Sequence, residues 1–68
     1  MYLTDLKAGE GAVLLALPHA QLPGGFRPGE RVSLIMSRPE LSVVSMGSNH
    51  YALAGFLAAQ IVVVRAPT

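Results

Sequence analysis

Lys7-Ala8-Gly9-Glu10-Gly11-Ala12-Val13 and Arg27-Pro28-Gly29-Glu30-Arg31-Val32 are each a Gly-Glu turn that runs straight into an apolar stretch. In the second, proline presets the first turn dihedral and glycine supplies the positive φ of the next position, so Pro28-Gly29 reads as a type II turn opening a strand. Two strands are launched in the same way. From Ala12 to Leu17 the chain is continuously apolar, bounded by Gly11 and Pro18, and too short to favour a helix, which makes it the first strand. After Pro28-Gly29, the even positions Val32, Leu34 and Met36 form one apolar face at period two over Val32–Ser37, the second strand.

Outward from these two strands the punctuation is clear. Thr4 or Asp5 caps a short turn, with Leu3 and Leu6 spaced to plug one end of a barrel before Gly9 breaks the chain. Two prolines and two glycines within Pro18–Gly25 forbid a regular helix and leave a loop. Leu41–Met46 follows Arg38-Pro39-Glu40 as a third strand, closed by Gly47-Ser48-Asn49, and His50–Leu53 is a short fourth. Strands two and three form a hairpin, and so do three and four. Ala54–Gln60 is small and Ala-rich and fits one helical or 3-10 turn before Ile61–Val64 closes the sheet. The predicted fold is all-β, one domain over residues 1–68, with five short strands in a barrel that hides the edges an open sheet of this size would expose.

Size and composition narrow the chemistry. At 68 residues the core is small, since only roughly 60% of the unfolded chain's surface is buried at this length. No cysteine is present, so neither disulfides nor thiolate metal sites add to hydrophobic packing, and nothing points to an oxidising compartment. Apolar residues make up 51% and charged ones 13%, with mean hydropathy +0.47, so part of the apolar surface is expected to stay outside, where it marks an oligomer, partner or membrane contact. A net charge of +1 with scattered basic residues argues against nucleic acid. No apolar run reaches the roughly 18 residues that span a bilayer, and Met1–Asp5 lacks the basic start of a signal peptide, so the expected location is the cytoplasm without direct membrane insertion.

Alternation then divides the strands. With Val32, Leu34, Met36, Leu41, Val43, Tyr51, Leu53, Ile61 and Val63 inward, Ile35, Val44, Met46, Val62 and Val64 point outward and form the expected partner-binding surface. Burying such a patch contributes several kcal/mol to association at about 25 cal/mol per Å² before entropy is subtracted. The competing reading lays the Pro18–Gly25 loop or the chain ends over it.

The order of these residues resembles the FeoA family, small cytoplasmic accessory proteins of bacterial ferrous-iron uptake with an SH3-like barrel. The resemblance rests on Leu3-x-x-Leu6-x-x-Gly9-x-x-x-Val13, on Phe26-Arg27-Pro28-Gly29-x-x-Val32-x-Leu34, on Pro39, and on Gly47 before Tyr51-Ala52-Leu53, Ala58 and Ile61-x-Val63. It implies a non-enzymatic component that docks on the cytoplasmic GTPase domain of the transporter FeoB and modulates ferrous-iron uptake; no cofactor is expected, and the outer apolar face is equally suited to meet a second copy of the chain. Two features depart from the family. Pro18–Gly25 stands where relatives carry a short helix, and the outer strands carry little basic charge. The alternative is a general SH3-like interaction or regulatory domain, similar to the C-terminal domain of DtxR-type repressors.

Other chemistries are poorly supplied. His19 and His50 lie about thirty positions apart without ligand spacing and read as surface histidines, so transition-metal binding is a weak expectation and no metal ligand is assigned. Ser33, Ser37, Ser42, Ser45 and Ser48 lack a nucleophile elbow and an organised His-acid pair. Gly24-Gly25 is too short for a phosphate loop. Arg27 or Arg38 is positioned to act as an arginine finger on a partner GTPase, although both read first as solvated turn residues. The few aromatics, Tyr2, Phe26, Tyr51 and Phe56, do not make a groove for proline-rich peptides.

Overall fold

Both Gly-Glu turns form, and each is clasped to the strand that the other one launches. The computed structural model describes residues 1–20 and 22–66. Gly9 and Gly29 take φ of +92° and +95°, and in each turn the glutamate N–H closes back on the residue three before it, Glu10 onto the Lys7 carbonyl at 3.0 Å and Glu30 onto Arg27 at 3.1 Å. These are the positive dihedrals that only glycine adopts without strain. The turns lead into β1 (Gly11–Ala16) and β2 (Arg31–Arg38), which pair antiparallel with Gly11 opposite Ser33, Ala12 opposite Val32 and Val13 opposite Arg31.

At either end of this ladder the bonding is reciprocal. Gly9 N–H donates to the Leu34 carbonyl at 2.7 Å and Leu34 N–H to Glu10 at 2.9 Å; Gly29 N–H donates to Leu14 at 2.8 Å and Leu14 N–H to Glu30 at 2.9 Å. Residues 9, 10 and 14 thus have the roles of residues 29, 30 and 34, and the β1–β2 pair has a local pseudo-two-fold axis. The relation continues outward. β5 (Val62–Arg65) pairs with β1 as β3 (Leu41–Met46) pairs with β2, each with a register shift, Leu14 to Ala16 in one and Leu34 to Met36 in the other.

β4 (Asn49–Ala54) completes an antiparallel sheet ordered β4-β3-β2-β1-β5, an SH3-like barrel. The β2–β3 hairpin turns through Pro39-Glu40, and the β3–β4 hairpin through Gly47-Ser48 with Gly47 at φ +63°, as a type II′ turn requires of its first loop residue. A single helical turn, α1 (Gly55–Ala58), joins β4 to β5, and a 3-10 turn spans Leu3–Asp5. Tyr2 N–H donates to the Asp5 carboxylate at 2.8 Å, so Asp5 does restrain that turn. Leu3 and Leu6 are buried, as expected of a plug.

The core is Leu3, Leu14, Val32, Leu34, Val44, Leu53, Ile61 and Val63 with smaller neighbours, closed at one side by Phe26, whose ring meets Tyr51 edge-on at 5.5 Å. Fully burying each large aliphatic side chain contributes about 1.5–3 kcal/mol.

The expected phase of β3 is reversed. Val44 is fully buried and Met46 packs against the core, whereas Leu41 and Val43, expected inside, are half-buried on the other face; Met36, the ladder partner of Val43, shares that face. The cause is the bulge at Ile35, an extra residue that moves the pairing from Met36–Val43 to Leu34–Val44 and so turns the even positions of β3 inward. The same shift buries Ser42, whose Oγ has no hydrogen-bond partner, a cost of roughly 1–3 kcal/mol.

Gly55 is fixed by space rather than by dihedral. Its N–H donates to the Glu40 carbonyl at 3.0 Å, and a Cβ there would lie 1.9 Å from the Pro39 carbonyl oxygen. Gly55→Ala is expected to destabilise by at least about 2 kcal/mol, lowering Tm by roughly 10 °C or more in a domain this small, while Gly24→Ala, with nothing within 4 Å, stays near wild type. Thermal unfolding followed by circular dichroism checks both.

Candidate docking surface

Among the described residues no three His, Asp or Glu side chains converge to hold a metal, and no pocket is enclosed. His19 is exposed in the loop after β1 and His50 is exposed at the start of β4. Arg27 is largely exposed and lies 3.8 Å from Glu30 within its own turn, while Arg38 is exposed at the end of β2. Arg65 is held by Glu10 at 3.1 Å, tying the end of β5 to the first Gly-Glu turn.

Two apolar patches stand on the outer face, and the pseudo-two-fold axis relates them. One centres on the β1–β5 register shift. Leu15, the residue set aside by that bulge, is 51% exposed; Val64 is 48% exposed and lies opposite Val13 in the ladder; Val62 lies opposite Ala16 and forms a bridge with the exposed Tyr2. The other centres on the β2–β3 bulge, where Ile35 is 42% exposed beside the half-buried pair Met36 and Val43. Leu15 and Ile35 occupy equivalent places in the two halves. Leu15 and Ile35 face out in step with the alternation that buries Leu14 and Leu34, and the bulge then leaves the next residue, Ala16 or Met36, on the same outer face, which widens each patch.

The expected outer set is therefore divided. Ile35 and Val64 do face solvent, and Val62 is half-buried beside its bridge partner Tyr2 on the outer side. Val44 is core and cannot meet a partner, and Met46 is half-buried against the core, its sulfur 3.4 Å from where a Cβ on Gly25 would stand. Neither belongs to an outer surface because the Ile35 bulge reverses their strand. Sequence reasoning missed Leu15 and Tyr2. Leu15 sits inside a continuous apolar run, in which alternation gives no sign of which residues face out.

Arg31, the ladder partner of Val13, and Ser33 separate the two patches along β2, so the outside is two small apolar areas with polar ground between them. No helix among the described residues is long and apolar enough to cross a membrane.

Comparison with solved structures finds a crystal structure of the iron uptake regulatory protein FeoA that matches 97% of this chain and 97% of its own, at a TM-score of 0.84 and 18% sequence identity. The likeness is one of fold along the whole chain. No family model and no curated protein sequence matches.

Lysine at the two valines read as outward separates the surface from the core. Val64→Lys is expected to change stability by less than about 0.5 kcal/mol, whereas Val44→Lys places a charge in the core and leaves the chain unfolded at 25 °C. Urea titration of both variants makes the comparison.

Proposed function

We propose that this chain is a non-enzymatic accessory protein of bacterial ferrous-iron uptake, docking on the cytoplasmic GTPase domain of a FeoB-type transporter and modulating it. The observation that carries the reading is the likeness of fold to an iron uptake regulatory protein, which covers 97% of both chains at a TM-score of 0.84. The order of turn and strand residues that resembles the FeoA family supports it independently of the fold, because it lies in particular positions of this sequence.

The contact we assign is the β1–β5 patch, where Leu15, Val64 and Tyr2 are each about half exposed and Val62 lies among them. An accessory role of this kind needs no catalytic group from this chain. Binding changes the relative stability of two states of the GTPase domain by however much more tightly the chain holds one than the other. It also needs no iron ligand here, and the apolar character of the patch suits a protein contact better than a metal ion.

The Leu15 and Val64 side chains each remove apolar surface from water on docking. At about 25 cal/mol per Å², together they supply roughly 1.5 kcal/mol or more, a tenfold or greater effect on Kd. Titration of the chain onto a purified FeoB GTPase domain by calorimetry is expected to show saturable binding, weakened at least tenfold by Leu15→Lys with Val64→Lys. Absence of binding would sink the docking role itself. Binding unchanged in the double variant would sink the surface assigned to it.

A further inference from the structure

The sheet has two edges, and the chain treats them differently. β5 is covered by the chain's own first residues: Val63 N–H donates to the Met1 carbonyl at 2.8 Å, Leu3 N–H to Ile61 at 2.8 Å, and Tyr2 bridges Val62. β4 has no such cover among the described residues. Its ladder is with β3 alone, and no backbone bond from Asn49–Ala54 reaches any other segment.

Which groups lie free at that edge follows from the ladder. In antiparallel pairs, alternate residues direct both backbone groups to the same neighbour. The Gly55 N–H continues the β3–β4 register by donating to Glu40, so Leu53, Tyr51 and Asn49 face β3. A trace from the other side agrees. Leu34 bonds to Glu10 and thus faces β1, so Ser33 and its partner Ser45 face each other; Val44 then faces β4, and its partner there is Tyr51. His50, Ala52 and Ala54 therefore present their N–H and C=O groups outward, and His50 and Ala52 are exposed.

Proteins guard such edges with charge, proline, bulges or covering segments. Among the described residues β4 has none of these: Asn49-His50-Tyr51-Ala52-Leu53-Ala54 holds no acid, lysine, arginine or proline, and its register with β3 is regular. We propose that the β4 edge pairs antiparallel with the β4 edge of a second copy of this chain, across a two-fold axis at Ala52. Outward residues must meet outward residues, so Ala52 faces its own counterpart and His50 faces Ala54. That register is self-complementary: it opposes no like carboxylates or ammoniums, and two of its three outward residues are alanines. The end of β4, with Phe56 just past it at 68% exposure, comes to the Gly47-Ser48 turn of the other copy, which gives this exposed aromatic a surface to cover.

Three residues per strand bury far less than the roughly 800 Å² per partner of a stable dimer, so the association is reversible and concentration-dependent. It uses the edge opposite to the β5 side of the sheet and stands or falls independently of the transporter docking proposed above.

The test is sedimentation of the full chain from about 10 μM to about 1 mM, with amide hydrogen exchange by NMR at both ends of that range. Wild type is expected to pass from monomer to dimer while the His50, Ala52 and Ala54 amides slow at least fivefold. Ala52→Pro removes an outward N–H that the β3 ladder does not use, and is expected to stay monomeric with native dispersion. Ala52→Lys, which sets two like charges face to face at the axis and keeps the backbone intact, is expected to do the same if proline disturbs the fold. Val64→Lys should dimerise as wild type. A monomer throughout the range overturns the proposal. So does a dimer that survives Ala52→Lys or leaves the three amides unprotected, and so does protection that appears only on adding the FeoB GTPase domain.

Discussion

The pair of two-way clasps between Gly9-Glu10 and Leu34, and between Gly29-Glu30 and Leu14, governs the rest of the molecule. Each clasp joins a turn to the middle of the other strand, so neither β1 nor β2 can shift without breaking bonds at both of its ends. The leucines that receive the clasps are among the largest fully buried side chains, and the hydrogen bonds are therefore made where water does not compete for them. Once this central pair is in register, β5 and β3 add to its two sides with equivalent bulges, and the first residues of the chain and β4 add outside those.

That symmetry accounts for the surface as well as the core. At each register shift two successive residues fall on the outer face, Leu15 with Ala16 on one side and Ile35 with Met36 on the other, and the apolar patches grow around them. A composition that is half apolar in so short a chain is accommodated in two ways: a core that takes one face of every strand, and two small apolar areas on the outside. The halves differ at their outer strands. Tyr2, β1 and β5 build a patch with three side chains near half exposure, and the equivalent place beside β3 is taken by a full strand with an edge left open among the described residues.

Much of this was legible in the residues. The repeated Gly-Glu turns, the Pro39 and Gly47 hairpins, the Leu3 and Leu6 plug and the helical turn before β5 all depend on glycine, proline or short-range spacing, whose consequences are local. The inward phase of β3 was not legible. Val43 and Val44 are adjacent and chemically identical, and which of them enters the core is decided by an extra residue at Ile35 on the neighbouring strand, which carries no glycine to mark the bulge. Two of the five expected contact residues, Val44 and Met46, were misplaced for that reason, and Leu15 was overlooked because an unbroken apolar run hides its own phase. The edge at β4 was equally hidden, since five strands suggested a wall closed on itself and the ladder stops short of joining β4 to β5 among the described residues.

The measurement that reaches the central claim most directly is native-state hydrogen exchange of the Leu14 and Leu34 amides across a series of low denaturant concentrations. If the two clasps hold the sheet as one unit, both amides exchange only through global unfolding, with the same free energy and the same denaturant slope as the whole domain. Exchange of either amide by a local opening, with a shallow slope and a lower free energy than its counterpart, would show that the two halves are not bound to each other in this way.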